Sequence, residues 1–380
     1  MFRIQNHIIK KGEIIMKRKR NIIILAFITV IAFSNRNTKA DFIFGEPNNL
    51  GIPINSIYDE CGPYVSADGL SLYFCGFVNN RPDGYGGADI WLSTRETVED
   101  DWGTPVNLGP PINTSADELG LYISADGLVF YLGSGRSGGS GGTDLWVAER
   151  ETTDDLWGEP NNLGPTVNSA YTEICPSLSA DGLSLYFSGG PYFPRPEGLG
   201  QGDIWVTTRA TVSDPWGPPE NLGPAVNSSY LEMSPSISSD GRVLFFQSSR
   251  PGIASNIWMT RRATTDDDWE PAVKLESPIN SSASDPPPYI SPDGSTLYFS
   301  SNRNGGLGGY DLYQVPILPV VDLNGDGIVD DIDMCIVVDH WDTDNPLCDI
   351  GPMPWGDGIV DVQDLIVLAE HLFEEFPPVQ

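Results

Sequence analysis

The sequence predicts a mainly β protein, a five-bladed β-propeller of short antiparallel strands followed by a small α-helical module. Three observations predict it. An apolar-flanked Ser-x-Asp-Gly turn recurs five times at intervals of 53 to 59 residues. Each copy is followed by the same landmarks, a strand around an Ile-Trp pair and then, in the first four copies, a Trp-led segment, Asn-Leu-Gly in three of them. Beyond residue 317 the composition changes to an acidic stretch with two loop-plus-helix patterns and no Lys or Arg.

Residues 1–40 read as an export signal. Lys17, Arg18, Lys19 and Arg20 form a positive stretch, residues 22–33 an apolar run, and Thr38-Lys39-Ala40 a small-x-small cleavage site. The run is too short to favour a membrane span, with an uncleaved anchor as the alternative, so the mature chain is expected to carry no transmembrane span. Because the charged cluster follows Met16 rather than Met1, translation is expected to start at Met16. The protein is expected to be secreted or associated with the cell surface.

The propeller is expected over residues 41–317. Its turns are SADGLSLYF at 66–74, SADGLVFYL at 124–132, SADGLSLYF at 179–187, SSDGRVLFF at 238–246 and SPDGSTLYF at 291–299. In each unit the residues before the turn form one strand, Asp-Gly makes the hairpin, and the apolar triplet forms the next. ADIWLSTR, TDLWVAER, GDIWVTTR, SNIWMTRR and YDLYQVPI supply third strands. WGTPVNLG, WGEPNNLG, WGPPENLG and WEPAVKLE supply fourth strands. The repeat resembles the WD-like propeller repeat of the TolB type, whose Ser-Pro-Asp-Gly turn stands intact at 291–294. That family is usually six-bladed, which makes six blades the alternative.

Five follows from the chain ends. FGEPNNLG at 44–51 is a fourth-strand segment with no third strand before it, and the last unit ends at DLYQV with no fourth strand after it. The first segment can therefore complete the last blade and hide both sheet edges. Trp91, Trp146, Trp205 and Trp258, and Trp102, Trp157, Trp216 and Trp269, recur in register, with Tyr313 and Phe44 in the missing turns. That repetition points to packing between blades.

Two further repeated positions are candidate ligand-face residues. An acid stands near the start of each first strand, at Glu60, Glu118, Glu173, Glu232 and Asp285, and an Arg in each Gly-rich loop between second and third strands, at Arg81, Arg136, Arg195, Arg250 and Arg303. They are expected to form concentric acid and base rings near one mouth of the channel, suited to a cation, a basic peptide or a polar glycan. The competing reading is a scaffold of Arg-carboxylate pairs, favoured because a residue present in every blade serves the architecture more often than a site. An enzyme is the rival class. A glycoside hydrolase acting on polysaccharide would need paired carboxylates that depart from the repeat, for which Asp83, Asp117 and Glu197 are the irregular acids. The three His, at 7, 340 and 371, all fall outside the propeller, which excludes His-dependent triads there.

Residues 318–380 form the tail module. DLNGDGIVDDID from Asp322 to Asp333 fits an EF-hand calcium loop: Asp322, Asn324 and Asp326 supply oxygens, Gly327 the turn, Ile328 a backbone carbonyl, Asp330 a water-mediated contact, and Asp333 closes it. A second copy, GDGIVDVQDLIVLAEHLF, starts at Gly356. Two loop-plus-helix units of this kind resemble a dockerin, and the resemblance implies a cohesin-like partner. In the second unit Asp357, Ile359, Asp361 and Asp364 match the later loop positions, but Met353 and Trp355 stand where early ligands belong. Asp349 can serve as first ligand only if the loop carries an insertion. One calcium ion is expected in the first loop and a second is conditional on Asp349.

Without residues 1–40 the chain keeps 12 of its 21 Lys+Arg and 51 of its 52 acids, a formal net charge of −39. Such a field excludes nucleic acid and favours cations or basic partners. Of the five cysteines, Cys61 with Cys75 and Cys335 with Cys348 are conceivable pairs, with buried free thiols as the alternative. The joint reading is a secreted, non-catalytic binding or scaffold propeller attached through its tail; the alternative is a polysaccharide-degrading glycoside hydrolase or a carbohydrate-binding partner of one.

Overall fold

Each repeat folds into one sheet because its strands are short and apolar on both faces and its first two are joined by a tight Asp-Gly turn. The protein was analysed as a computed structural model, which describes residues 42–76, 81–190, 195–252, 254–319, 321–323, 328–343, 348–351 and 359–373. The expected signal segment lies outside the described residues, as do Asn324, Asp326 and Asp357.

Two short strands open the described chain, β1 (Phe42–Phe44) and β2 (Asn48–Asn49). Blade 1 is β3–β6 (Glu60–Val65, Ser71–Gly76, Asp89–Thr94, Val106–Asn107). Blade 2 is β7–β10 (Glu118–Ile123, Val129–Ser134, Asp144–Glu149, Asn161–Asn162). Blade 3 is β11–β14 (Glu173–Leu178, Ser184–Gly189, Asp203–Thr208, Glu220–Asn221). Blade 4 is β15–β18 (Glu232–Ile237, Val243–Ser248, Asn256–Arg261, Val273–Lys274). Blade 5 is β19–β21 (Pro288–Ile290, Thr296–Ser301, Asp311–Pro319), completed by β2, with Asn48 opposite Gln314 and Asn49 opposite Tyr313. The ring thus closes by the expected exchange, and the propeller has five blades, not six.

The closure is larger than the repeat implied. β1 also pairs with β21, Phe42 opposite Pro319 and Phe44 opposite Ile317, so the last strand runs two residues past the boundary expected at 317. Phe44 meets Phe245 of blade 4 edge-on at 6.5 Å, in the place that Trp216 and Trp269 take against Tyr131 and Tyr186 of the blades before theirs.

The Ser-x-Asp-Gly hairpins are built alike. Ser66 accepts the Gly69 amide at 2.8 Å and its hydroxyl reaches Asp68, while Gly69 takes a positive φ of 71° that a side chain would disfavour. The middle strands are buried on both faces: Phe74, Phe130, Phe187, Phe246 and Phe299 are all fully covered. The eight repeated Trp lie in two tiers, each against an arginine. Arg95, Arg150, Arg209 and Arg262 stack on Trp102, Trp157, Trp216 and Trp269 at 4.2 to 4.4 Å.

First strands meet at the axis. Tyr64, Tyr122 and Tyr289 hold equivalent positions in blades 1, 2 and 5 and fill it, with ring centroids 5.5 Å (Tyr64–Tyr122) and 4.8 Å (Tyr64–Tyr289) apart. Ser177 and Ser236 hold the same position in blades 3 and 4 and accept the amides of Ile237 and Ile290. A bulge precedes this position in four blades, placing Gly62, Gly120, Cys175 and Ser234 at positive φ.

The tail has its own core, in which Val321, Val329, Val337, Cys348, Ile350, Val360, Val367 and Leu368 cluster. Helices α1 (Asp331–Asp339) and α2 (Val362–Glu370) are each opened by a capping box, Asp330 with Asp333 and Asp361 with Asp364. All five cysteines are free thiols; Cys61 and Cys75 are cross-strand neighbours, whereas Cys335 is exposed and Cys348 buried.

Candidate functional site

The rings of acids and arginines expected at the channel mouth lie beneath the loop face. Glu60, Glu118, Glu173 and Glu232 open the first strands, Asp285 stands three residues before β19, and all five are completely buried. Each carboxylate accepts the backbone amide and the hydroxyl of the Ser or Thr four residues earlier. These are Ser56, Thr114, Ser169, Ser228 and Ser281, so every acid pins the connector that enters its blade.

Each acid also pairs with its own blade's arginine. The distances are 3.0 Å for Arg81–Glu60, 3.5 Å for Arg136–Glu118, 3.0 Å for Arg195–Glu173, 3.3 Å for Arg250–Glu232 and 2.8 Å for Arg303–Asp285. The arginine side chains keep only 10 to 17 % exposure. The same guanidinium groups lie over Trp91, Trp146, Trp205, Trp258 and Tyr313 at 4.4 to 5.5 Å. The ten groups are therefore placed as internal partners, and none is a free charge on the face.

Burial dominates their electrostatics. Desolvation pushes the Glu60 carboxyl up to about 7 against the opposing pulls of Ser56 and Arg81, and it raises Glu118 and Glu173 as well. Blades 2, 4 and 5 add a hydroxyl donor to the acid, from Ser134, Ser248 and Ser301. Blades 1 and 3 have Gly76 and Gly189 there, with longer stretches before the arginine, so the five-fold symmetry breaks at these two blades.

A second repeated network escaped the sequence reading. Asp144 at the start of β9 accepts the Asn162 side-chain amide at 2.8 Å, and Asn162 in turn accepts from Asn168 at 2.9 Å. Asn168 is buried and bonds both the amide and the carbonyl of Leu145, imitating an extra strand residue. Asp89–Asn107–Asn113, Asp203–Asn221–Asn227 and Asp311–Asn49–Asn55 repeat it. The signal available was Asn-Leu-Gly with a second Asn six residues after the first.

Of the three acids expected to depart from the repeat, Asp117 follows it, since Asp59 accepts the Tyr310 amide as Asp117 accepts that of Ala88. Asp83, Asp117 and Glu197 are exposed, and Asp117 accepts the Ala88 amide at 2.8 Å. Among the described residues no three His, Cys, Asp or Glu gather as a metal-holding group, and no helix is long and apolar enough to cross a membrane.

In the tail the described parts of the two units correspond about a pseudo-two-fold, with four more residues between Ile350 and Asp364 than between Leu323 and Asp333. Asp333 is fully buried and accepts the amides of Leu323 at 2.8 Å and Asp330 at 2.9 Å. Asp364, equally buried, accepts those of Ile350 and Asp361, both at 2.6 Å. Asp349 thus stands to Asp364 as Asp322 stands to Asp333, which is the arrangement that an inserted second loop requires. Ile328 and Ile359 occupy matching places, and Asp330 and Asp361 cap matching helices. Each unit's exit closes on the other: Asp342 donates to the Val360 carbonyl and Phe373 to that of Val329.

No family model matches the chain, and no curated protein matches it. Among solved structures, TolB from Acinetobacter baumannii is 14% identical over 68% of this chain, which spans 54% of that structure, at a TM-score of 0.43. A thermostable family-43 glycoside hydrolase is 15% identical over 70% of this chain and 92% of its own, at 0.48. The α-L-arabinofuranosidase PaAbf62A from Podospora anserina, solved with cellotriose, is 10% identical over 73% and 96%, at 0.44.

Proposed function

We propose that the protein is an exported, non-catalytic binding propeller, carried to a surface or multiprotein complex by a calcium-dependent, dockerin-like tail that docks on a cohesin-like partner. One observation carries the propeller half: every candidate acid and arginine of the repeat is consumed in holding connectors and blades together. No carboxylate of that set remains to act as general acid or nucleophile.

The tail half rests on the pseudo-two-fold. Asp322 and Asp349, with Asp330 and Asp361 and the carbonyls of Ile328 and Ile359, would hold the ions, with Asn324, Asp326 and Asp357 completing the donor sets. These are hard oxygen donors, as calcium requires. Calcium would neutralise acidic loops and let α1 and α2 keep their shared core. Their outer faces carry Ile332, Val338, Val362 and Ile366, each about half exposed, as a docking surface.

Chelation of the intact protein tests the tail: helical circular dichroism should fall and return on adding calcium, and the propeller's melting should persist. Unchanged helicity would remove calcium from the reading. A pull-down with cohesin modules, with and without calcium, tests the partner. Release of reducing sugar from polysaccharide would favour the hydrolase instead.

A further inference from the structure

We propose that Asn304 is a site of self-modification, deamidated when the backbone amide of Gly305 closes on its side chain. This chemistry is independent of what the propeller binds.

An Asn-Gly or Asp-Gly bond can cyclise because glycine carries no side chain to hinder its nitrogen. The described residues hold six Asp-Gly bonds, in the five Ser-x-Asp-Gly hairpins and at Asp83–Gly84, and one Asn-Gly bond, Asn304–Gly305. The six are tied down. In the hairpins the glycine amide donates to the carbonyl of the turn's Ser at 2.8 to 2.9 Å, and Oδ1 of the Asp accepts the Ser hydroxyl and the amide two residues on. Gly84 donates to the Arg81 carbonyl at 3.3 Å.

Asn304–Gly305 is untied. Asn304 is exposed, and among the described residues neither its side-chain amide nor the Gly305 N–H has a hydrogen-bond partner. The two form the tip of a turn, with Gly305 at φ 102°, and a Cβ on Gly305 would meet nothing within 4 Å. The attacking nitrogen, the target carbon and the room for an imide ring therefore come together. Other blades place Pro82-Asp83, Ser137-Gly138, Pro196-Glu197 and Pro251-Gly252 at the equivalent tip. The connector Asn residues, each followed by Ser or Thr, are spared for the opposite reason: Asn168 is 2% exposed and has its oxygen and nitrogen both bonded to Leu145.

The step balances with water as the only co-reactant. The Gly305 nitrogen bonds to Cγ of Asn304 and gives up its proton, the Cγ–Nδ2 bond breaks, and ammonia leaves. Water then opens the imide at either carbonyl, giving aspartate or isoaspartate. Isoaspartate puts a methylene into the main chain directly after Arg303, whose guanidinium holds Asp285 at 2.8 Å and the Ile279 carbonyl at 2.5 Å. The change thus falls in the loop that packs over the closing connector, where the Tyr310 amide donates to Asp59.

The test holds the intact protein in warm, mildly alkaline buffer, folded and in parallel in urea. Chymotryptic peptides are then read by mass spectrometry with fragmentation that separates isoaspartate from aspartate. Position 304 should convert to both products, faster at higher pH, and at nearly the same rate folded as in urea. The six Asp-Gly bonds should isomerise in urea and be slowed about tenfold or more by folding. Asn304→Gln, whose longer side chain closes a larger and slower ring, should keep its amide over the same time. The second Asn-Gly bond, 324–325, lies outside the described residues and falls on another peptide. An Asn304 amide that survives in the folded protein while it converts in urea overturns the proposal. So does aspartate without isoaspartate, which direct hydrolysis would give, or isomerisation of the Asp-Gly bonds as fast folded as in urea.

Discussion

Glu60 shows what a repeated acid does at the residue scale. It is fully buried, and desolvation lifts its carboxyl from an ordinary 4.5 to about 7 despite Arg81 at 3.0 Å. A raised carboxyl binds its proton more tightly folded than unfolded, so the stability it contributes is complete below about pH 4.5 and is lost as pH rises to about 7. Urea denaturation across that window should show wild type losing stability relative to Glu60→Gln as pH rises; a constant difference would contradict the assignment. Desolvated thiols respond similarly. Cys75 is pushed up to about 12 and Cys175 to about 11 by desolvation, which leaves neither a nucleophile at neutral pH. Sequence spacing located the acids and arginines but not their burial, since a short strand end reads alike whether it faces a channel or a neighbouring connector.

At the scale of elements, the connector into each blade is held as firmly as a strand. Its buried Asn bonds both polar groups of a third-strand residue, so Asn168→Ala leaves the Leu145 amide without that partner while the carbonyl keeps the Leu163 amide. The expected cost is about 2–4 kcal/mol, measured by chemical denaturation with unchanged far-ultraviolet circular dichroism. A loss under about 0.5 kcal/mol would mean that water replaces the side chain. Blade 4 departs from the pattern, with Asn256 and the exposed Lys274 in place of the acid and the first Asn, and there Asn280 bonds the Leu275 carbonyl instead. The bulges were equally hidden: Cys175 and Ser234 adopt φ 53° and 52°, which nothing in their residue type announces. In the tail, the sequence offered Asp349 only on condition of an inserted loop, and the pairing of Asp364 with Ile350, like that of Asp333 with Leu323, was not legible in it.

At the scale of the whole molecule, ring closure and charge distribution are set together. Beyond residue 40 the chain has one lysine, Lys274, and eleven arginines. Nine of those arginines are held against ring faces within the repeats, so the surface field comes almost entirely from carboxylates. Closure depends on a strand only two residues long, reinforced by Asn49 to Asp311 at 2.8 Å and by β1. Deleting residues 41–50 should expose the edge of β21, lower the calorimetric midpoint and produce self-association in light scattering. A monomer of unchanged midpoint would show that blade 5 closes without its outer strands.

The sequence by itself determined the strand count per blade, the number of blades and the identity of the closing segment. Repetition at a constant interval forces equivalent residues into equivalent places, and an unpaired segment at each end leaves one way to satisfy both edges. It also named the acids and arginines that meet. Only the tertiary structure decided that they meet in the interior, that Asp83 and Glu197 stand exposed on left-handed backbone, and that Asp364 holds Ile350 as Asp333 holds Leu323. Burial and proximity belong to the packing of blade on blade and unit on unit, which no local spacing encodes.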